Sequence, residues 1–460
     1  MNMTTASIPA TILASESVSE PRGEALLKRF IQSWGLVAAT ALLALYIPNL
    51  EPKLMIVVCL AAGLTVWRHL LDRDVWPLVA LCFYMTAMSA LVSNSQPGKL
   101  DVLEDPGYQL MGVLLVWATL RHSGITAALV VVYACIAVSL VGVAGELAGY
   151  DMTNILPISL PNDEFFDAIT TTASGEGRVR GFFPEASILG AISVSFSFVA
   201  AAASFILARR RNSVASYLGA LVSVGFLLFF LGITLAKTGM VMFALGMFGF
   251  AAVNFWFGTT VARLRTVVVL GVLAAGAVLL FMSDTTLGGY LREEVEGLPI
   301  PHSGAAWGKA GAGAATRLTS WKLAWVNLKA HPFGVGHFGL GSTVSAGTGI
   351  TPTPEMVFWF QRNNFSLKCA MANIVAETGF VGMGLLGFWI FANFVSPAFA
   401  WVKRFGNESL GVPGLYAACL LISLGLLMTC ELYPYLAFAL LLKLVADRVA
   451  SSVLKSEAGE

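Results

Sequence analysis

Residues 186–208 read ASILGAISVSFSFVAAAASFILA, and Arg209-Arg210-Arg211 follow at once. Twenty-three uncharged residues are enough, at a rise of about 1.5 Å per residue, to cross a hydrocarbon core of about 30 Å. The arginines say which end faces inward, because cationic connections stay on the cytoplasmic side. Working outward from this stretch, the same two signals recur along the chain.

The composition agrees. Hydrophobic residues make up 57% of the 460 and charged residues only 12%, with a mean hydropathy of +0.76, a bias that excludes an ordinary soluble domain. The reading is an all-α, polytopic integral membrane protein, since in lipid the spanning segments must be helices. Spans are predicted near residues 30–48, 54–68, 75–93, 107–120, 123–147, 186–208, 215–235, 238–258, 266–283, 370–396, 412–430 and 433–449. That is about twelve, the second and fourth being short.

Orientation follows from the cations between spans. With the N-terminus inside, the inner segments hold Arg22, Lys28, Arg29, Arg68, Arg73, Arg121, Arg209, Arg210, Arg211, Arg263, Arg265, Lys403, Arg404, Lys443, Arg448 and Lys455. The short outer connections hold only Lys53, Lys99 and Lys237, so both termini are expected to be cytoplasmic. The organisation is then a polar inner tail without signal-peptide character (1–29), an N-terminal bundle (30–147) and a first long outer loop (148–185). Central helices (186–283), a large outer loop (284–369) and C-terminal helices with the inner end (370–460) complete it.

Cysteine and histidine carry little. The six cysteines lie in or beside spans, and no histidine pair shares a helical face with a carboxylate, so neither a disulfide framework nor a metal site is expected. Two nucleotide-like signals fail for want of context. Gly232-Ile-Thr-Leu-Ala-Lys237-Thr238 lacks the second glycine of a phosphate loop and lies between spans. Asp72-Arg73-Asp74 has no soluble domain around it and reads as an exposed inter-helix turn. No nucleic-acid partner is expected.

The outer loops are where the charge is unexpected. Seven lysines and arginines fall within 284–369, and Arg178 and Arg180 lie in the first loop, on the face where the positive-inside rule asks for few. A guanidinium keeps its charge there and offers a planar fork to phosphate oxygens. Pro184-Glu185 makes a sound helix start, with the carboxylate at the positive end of the dipole. Residues 317–330 space Leu318, Trp321, Trp325 and Leu328 on one helical face and Lys322 and Lys329 on another. This predicts an amphipathic helix lying at the interface and ended by Pro332, Gly334 and Gly336.

These segments together resemble the O-antigen ligases and related polysaccharide polymerases of bacterial inner membranes, over residues 175–385. Arg180-Gly181-Phe182-Phe183-Pro184-Glu185 looks like the family's arginine, glycine, aromatic and proline pattern before a span. Leu235-Ala236-Lys237-Thr238-Gly239 is similar to its Ser-Arg-Thr-Gly turn. Arg317, Trp321 and His331-Pro332-Phe333-Gly334-Val335-Gly336 resemble its arginine, tryptophan and Pro-x-Gly-x-Gly stretch. Ala376-Glu377-Thr378-Gly379-Phe380-Val381-Gly382 is like its Ala-Glu-x-Gly-x-x-Gly. Where the family carries a His-Asn pair this chain has Lys368 and Cys369, so no catalytic histidine is nominated.

The resemblance implies a metal-independent glycosyltransferase of the inner membrane, without a cofactor, whose donor is a polyprenyl pyrophosphate-linked oligosaccharide. A polymerase would join repeat units on the periplasmic face for O-antigen or exopolysaccharide; a ligase would pass the glycan to lipid A core. Arg180, Lys237 and Arg317 are the candidates to hold pyrophosphate and Glu185 the candidate base. Arg178, Trp321, Lys322, His331, His337 and Glu377 are the candidate substrate-binding residues. Membrane lipids and a chain-length-determining copolymerase are the candidate partners. A glycolipid flippase or transporter is the reading from another class, opposed by unlike halves and by few charges within spans. A scaffold in an export complex is a further one.

Overall fold

The quoted stretch is the helix around which the molecule packs. The computed structural model describes residues 34–44, 52–92, 104–150, 152, 179, 181–183, 186–211, 213–234, 236–283, 312–336, 367, 369–406, 410–429 and 434–457. Among them every regular element is a helix. In order these are α1 (Trp34–Ala44), α2 (Pro52–Val66), α3 (Trp76–Val92), α4 (Glu104–Leu120), α5 (Ile125–Leu147), α6 (Ala186–Arg211) and α7 (Val214–Thr234). They continue with α8 (Lys237–Phe257), α9 (Thr260–Met282), α10 (Ala312–Ala330) and α11 (Ala370–Ile390). A π-helical turn, Phe391–Val395, runs into α12 (Ser396–Phe405), and α13 (Gly411–Thr429) and α14 (Tyr435–Glu457) close the bundle.

A helix thus covers each of the twelve apolar stretches read from the sequence. Six are long and apolar enough to cross a membrane, namely α5, α6, α7, α8, the continuous run from α11 through α12, and α13; α1 to α4 are apolar but shorter. Several boundaries move: α4 starts at Glu104, and α14 runs on through charged residues to Glu457.

Small residues explain why α6 is central. Its serines, alanines and Gly190 let neighbours come close, as helices do where solvent contrast cannot drive packing, and α5, α7, α8, α13 and α14 all pack on it. Tyr133 of α5 ties three helices through its hydroxyl, 3.1 Å from Ser204 Oγ, 3.0 Å from Ser223 Oγ and 3.3 Å from the Gly219 carbonyl. The outward faces stay apolar: Leu218, Leu221 and Leu228 on α7 and Val261, Leu264, Val272 and Leu279 on α9 are exposed. Apolar residues both inside and outside suit a lipid solvent.

One end of the bundle carries an ion-pair network that corrects two sequence expectations. Lys443, expected as an orienting cation in an inner segment, is buried in α14. Its Nζ lies 2.8 Å from Asp74 Oδ2 and 2.6 Å from Asp447 Oδ2, and Tyr416 donates to Asp447 Oδ1 at 2.6 Å. The Asp72-Arg73-Asp74 turn is accordingly no free exposed loop. Asp72 pairs with Arg121 at 2.9 Å, Trp389 Nε1 donates to the Asp74 carbonyl at 2.6 Å, and Arg448 donates to the carbonyls of Leu120 and Arg121. Burying a charge is costly unless it is paired, and helical periodicity alone does not reveal a partner 369 residues away in sequence.

Lys443→Met is expected to destabilise the detergent-solubilised protein by about 3–5 kcal/mol, because it leaves Asp447 uncompensated beside Asp74. The double variant Lys443→Met/Asp447→Asn should recover much of that loss. Thermal midpoints check both; a single variant within about 1 kcal/mol of wild type would show the pair to be dispensable.

Candidate functional site

The Ala-Glu-x-Gly stretch does not form a regular helix. At Gly379, where φ is +59° and ψ −147°, the backbone leaves helical geometry inside α11. A residue with a Cβ rarely adopts such a conformation. Carbonyls released from the helical ladder must find donors elsewhere. The Pro-x-Gly-x-Gly segment supplies them: Val335 N–H donates to the Ala376 carbonyl at 3.0 Å and Gly336 N–H to the Glu377 carbonyl at 3.1 Å. In return Phe380 N–H donates to the Pro332 carbonyl at 2.9 Å. Gly334, at φ +93°, leaves no room for a Cβ against the Glu377 carbonyl. From α3, the Tyr84 hydroxyl donates to the Phe333 carbonyl at 2.9 Å. Two motifs read separately in the sequence are therefore one interlocked unit.

α10 leads directly into it. His331 N–H donates to the Asn327 carbonyl at 2.7 Å, so the segment begins as a continuation of the last helical turn. The buried face of α10 differs from the expected apolar one. Ser320, Leu323, Ala324, Asn327 and Leu328 are buried, packed with Val335 and with Ala372, Val375 and Ala376 of α11. Trp325 points outward with Lys329 Nζ 5.3 Å from its ring centre. This helix packs on the bundle through a mixed face that takes in Trp321 and Leu328 of the expected stripe and leaves Trp325 outside.

Asn327 on that face and Arg317 on the same helix have bonding capacity to spare. Both amide atoms of Asn327 are buried without a hydrogen-bond partner among the described residues, and so is Nε of half-buried Arg317. Each such group costs about 1–3 kcal/mol, which a bound polar ligand or water can offset. Residues 312–336 carry four basic side chains, Arg317, Lys322, Lys329 and His331, and no acid. Across from them α11 contributes Glu377, which is buried. One turn earlier, Asn373 clamps Leu367, accepting from its N–H at 2.6 Å and donating to its carbonyl at 3.0 Å.

The other two motifs also meet. Gly181 N–H donates to Glu146 Oε2 at 2.6 Å, on the last turn of α5, and Phe183 is fully buried. Just beyond, Thr238 Oγ1 at the start of α8 donates to the Ser187 carbonyl at 2.7 Å. The turn that holds Lys237 is thus bolted to the start of the helix that follows Arg180. Alternating helix directions put this cluster and the interlock at the same end of the bundle, opposite the Lys443 network.

Of the nominated residues, Arg317 and Trp321 are half-buried, Lys322 and His331 exposed and Glu377 buried. Lys237 is the first residue of α8, its side chain outside the described set; Arg178, Arg180, Glu185 and His337 also lie outside the described residues. Among the described residues no group of His, Cys, Asp or Glu is placed to hold a metal ion. Sequence reasoning missed Glu146, Tyr84 and Asn327. Only Asn327 left a signal, an amide inside a helix where it is a poor helix former. No protein-family model matches this chain, and no curated protein matches its sequence.

Asn327→Leu separates stability from function. Removing two unsatisfied amide atoms should leave the thermal midpoint unchanged or raise stability by about 1–2 kcal/mol, while binding of a polar ligand at this face should weaken. A large loss of stability would mean instead that the amide bonds within the fold.

Proposed function

We propose that this chain is a twelve-span protein of a bacterial inner membrane, with both termini cytoplasmic, that polymerises lipid pyrophosphate-linked oligosaccharide repeat units on the periplasmic face. The observation that carries this reading is the acid-free α10 and its following segment, with the spare Arg317 Nε and Asn327 amide, beside the broken helix that presents Glu377. Discontinuous helices commonly form ligand sites at membrane depth, and an anionic leaving group is what such a cationic surface suits.

In the reaction, a hydroxyl oxygen of the acceptor repeat unit attacks the anomeric carbon of the donor's reducing-end sugar. The bond from that carbon to the pyrophosphate oxygen breaks, and its electron pair leaves with polyprenyl pyrophosphate. Charge gathers on that oxygen as the bond breaks. Fixed guanidinium and ammonium groups in a low dielectric stabilise it, a role assigned to Arg317, Arg180 and Lys237. The acceptor's proton passes to a carboxylate. Glu185 follows the Arg180 motif, and Glu377 is the buried carboxylate beside α10, so Glu185→Gln and Glu377→Gln variants separate the two.

Ligation to lipid A core would use the same chemistry with another acceptor. In a strain lacking the gene, surface and lipid-linked glycans are separated by size. Collapse to single repeat units, restored by the wild-type gene, supports the polymerase. Full-length polymer stranded on its carrier means a ligase, and single units held on the cytoplasmic leaflet mean a flippase.

A further inference from the structure

At the end of the bundle away from the interlock, a groove of about 750 Å³ opens between α9 and the body of the protein. Its walls are α6 from Ala202 to Arg210 and α9 from Val261 to Leu270; its floor is α8 around Met247 and Phe250, and Phe405 and Leu410 close it. Arg209, Arg210 and Arg265 stand in it, all exposed. No acidic residue lines it among the described residues.

We infer that this groove binds an anionic phospholipid of the adjacent leaflet. The two parts of such a molecule have separate complements here. From Arg210 back to Ala202 the α6 wall runs about 12 Å along the helix axis, lined by Phe205 and Ile206, a depth that takes the first part of an acyl chain. Arg209 lies at the other end of that wall, where a headgroup phosphate would sit, and Arg265 stands on the facing α9 wall. Guanidinium is always ionised, and its fork donates to two phosphate oxygens at once. Basic pockets between membrane helices characteristically hold anionic headgroups. A free anion would leave the apolar depth unused, and a neutral lipid would leave Arg209 and Arg265, which have no ion-pair partner among the described residues, without a counter-charge. The outward side of α9 is apolar and exposed, so a lipid can enter sideways without the bundle opening.

The test uses the full-length protein in detergent micelles, mixed with phosphatidylglycerol or phosphatidylcholine, with retained lipid read by native mass spectrometry. Retention of phosphatidylglycerol over phosphatidylcholine on the order of tenfold is expected, falling to parity in Arg209→Gln/Arg265→Gln. Val269→Trp, at an exposed wall position, should fill the groove and reduce retention of both lipids. Equal retention by the wild type would overturn the inference, as would a preference that survives the double substitution. Displacement by excess inorganic phosphate would reduce the site to one for a bare anion, and stronger retention of a polyprenyl phosphate would replace the phospholipid assignment.

Discussion

Gly379→Ala is expected to cost about 3–5 kcal/mol of stability and to remove polymer formation. The new Cβ would meet the Pro332 carbonyl oxygen at a backbone conformation worth about 1–3 kcal/mol of strain for a non-glycine residue. Relief requires the 331–336 segment to move off α11, giving up three backbone hydrogen bonds of about 1 kcal/mol each. Since that segment is the direct continuation of α10, Arg317 and Asn327 would shift relative to Glu377. Gly384, five residues further on, has open space where a Cβ would go, so Gly384→Ala is the control and should be neutral or slightly stabilising. Thermal midpoints in detergent read the difference, and equal losses in both variants would rule out the interlock as the cause.

Arg317→Ala should lower polymerisation by about 10²–10³-fold, the range for removing one group that stabilises developing negative charge. Its effect on the thermal midpoint should be small, because the side chain is half-buried and its Nε has no partner among the described residues. Arg317→Lys keeps the charge but loses the planar fork, so partial activity is expected. Measuring initial rates of chain extension at matched protein levels decides the matter. Unchanged rates in Arg317→Ala would take this residue out of the pyrophosphate site.

How far this could be read in the sequence depends on whether side chains or backbone carry the information. Every apolar stretch became a helix because a run of apolar residues is a local signal that survives packing. The order of the four motifs was also legible. Their pairing was not, because the bonds joining 331–336 to α11 run between backbone groups, and only the glycines at 334, 336 and 379 mark the need for close approach and positive φ. Trp325 of α10 departs from its expected face for a related reason, while Trp321 packs against the buried cluster. Large apolar side chains suggest the buried face, whereas here close packing of α10 on α11 selects Ser320, Ala324 and Asn327, and Trp325 remains outside. The sequence shows Lys443 only as an orienting cation of an inner segment, because the carboxylate of Asp74 reaches it only through the tertiary fold.

The most direct measurement places purified wild-type protein in liposomes with polyprenyl pyrophosphate-linked repeat units isolated from a strain lacking the gene, and follows glycan length and released polyprenyl pyrophosphate. A ladder of two or more units, with one carrier released per unit joined and with Arg317→Ala supporting neither, is the predicted result. Repeat units that stay single while the folded wild-type protein is present, or a ladder made equally well by Arg317→Ala, would contradict it.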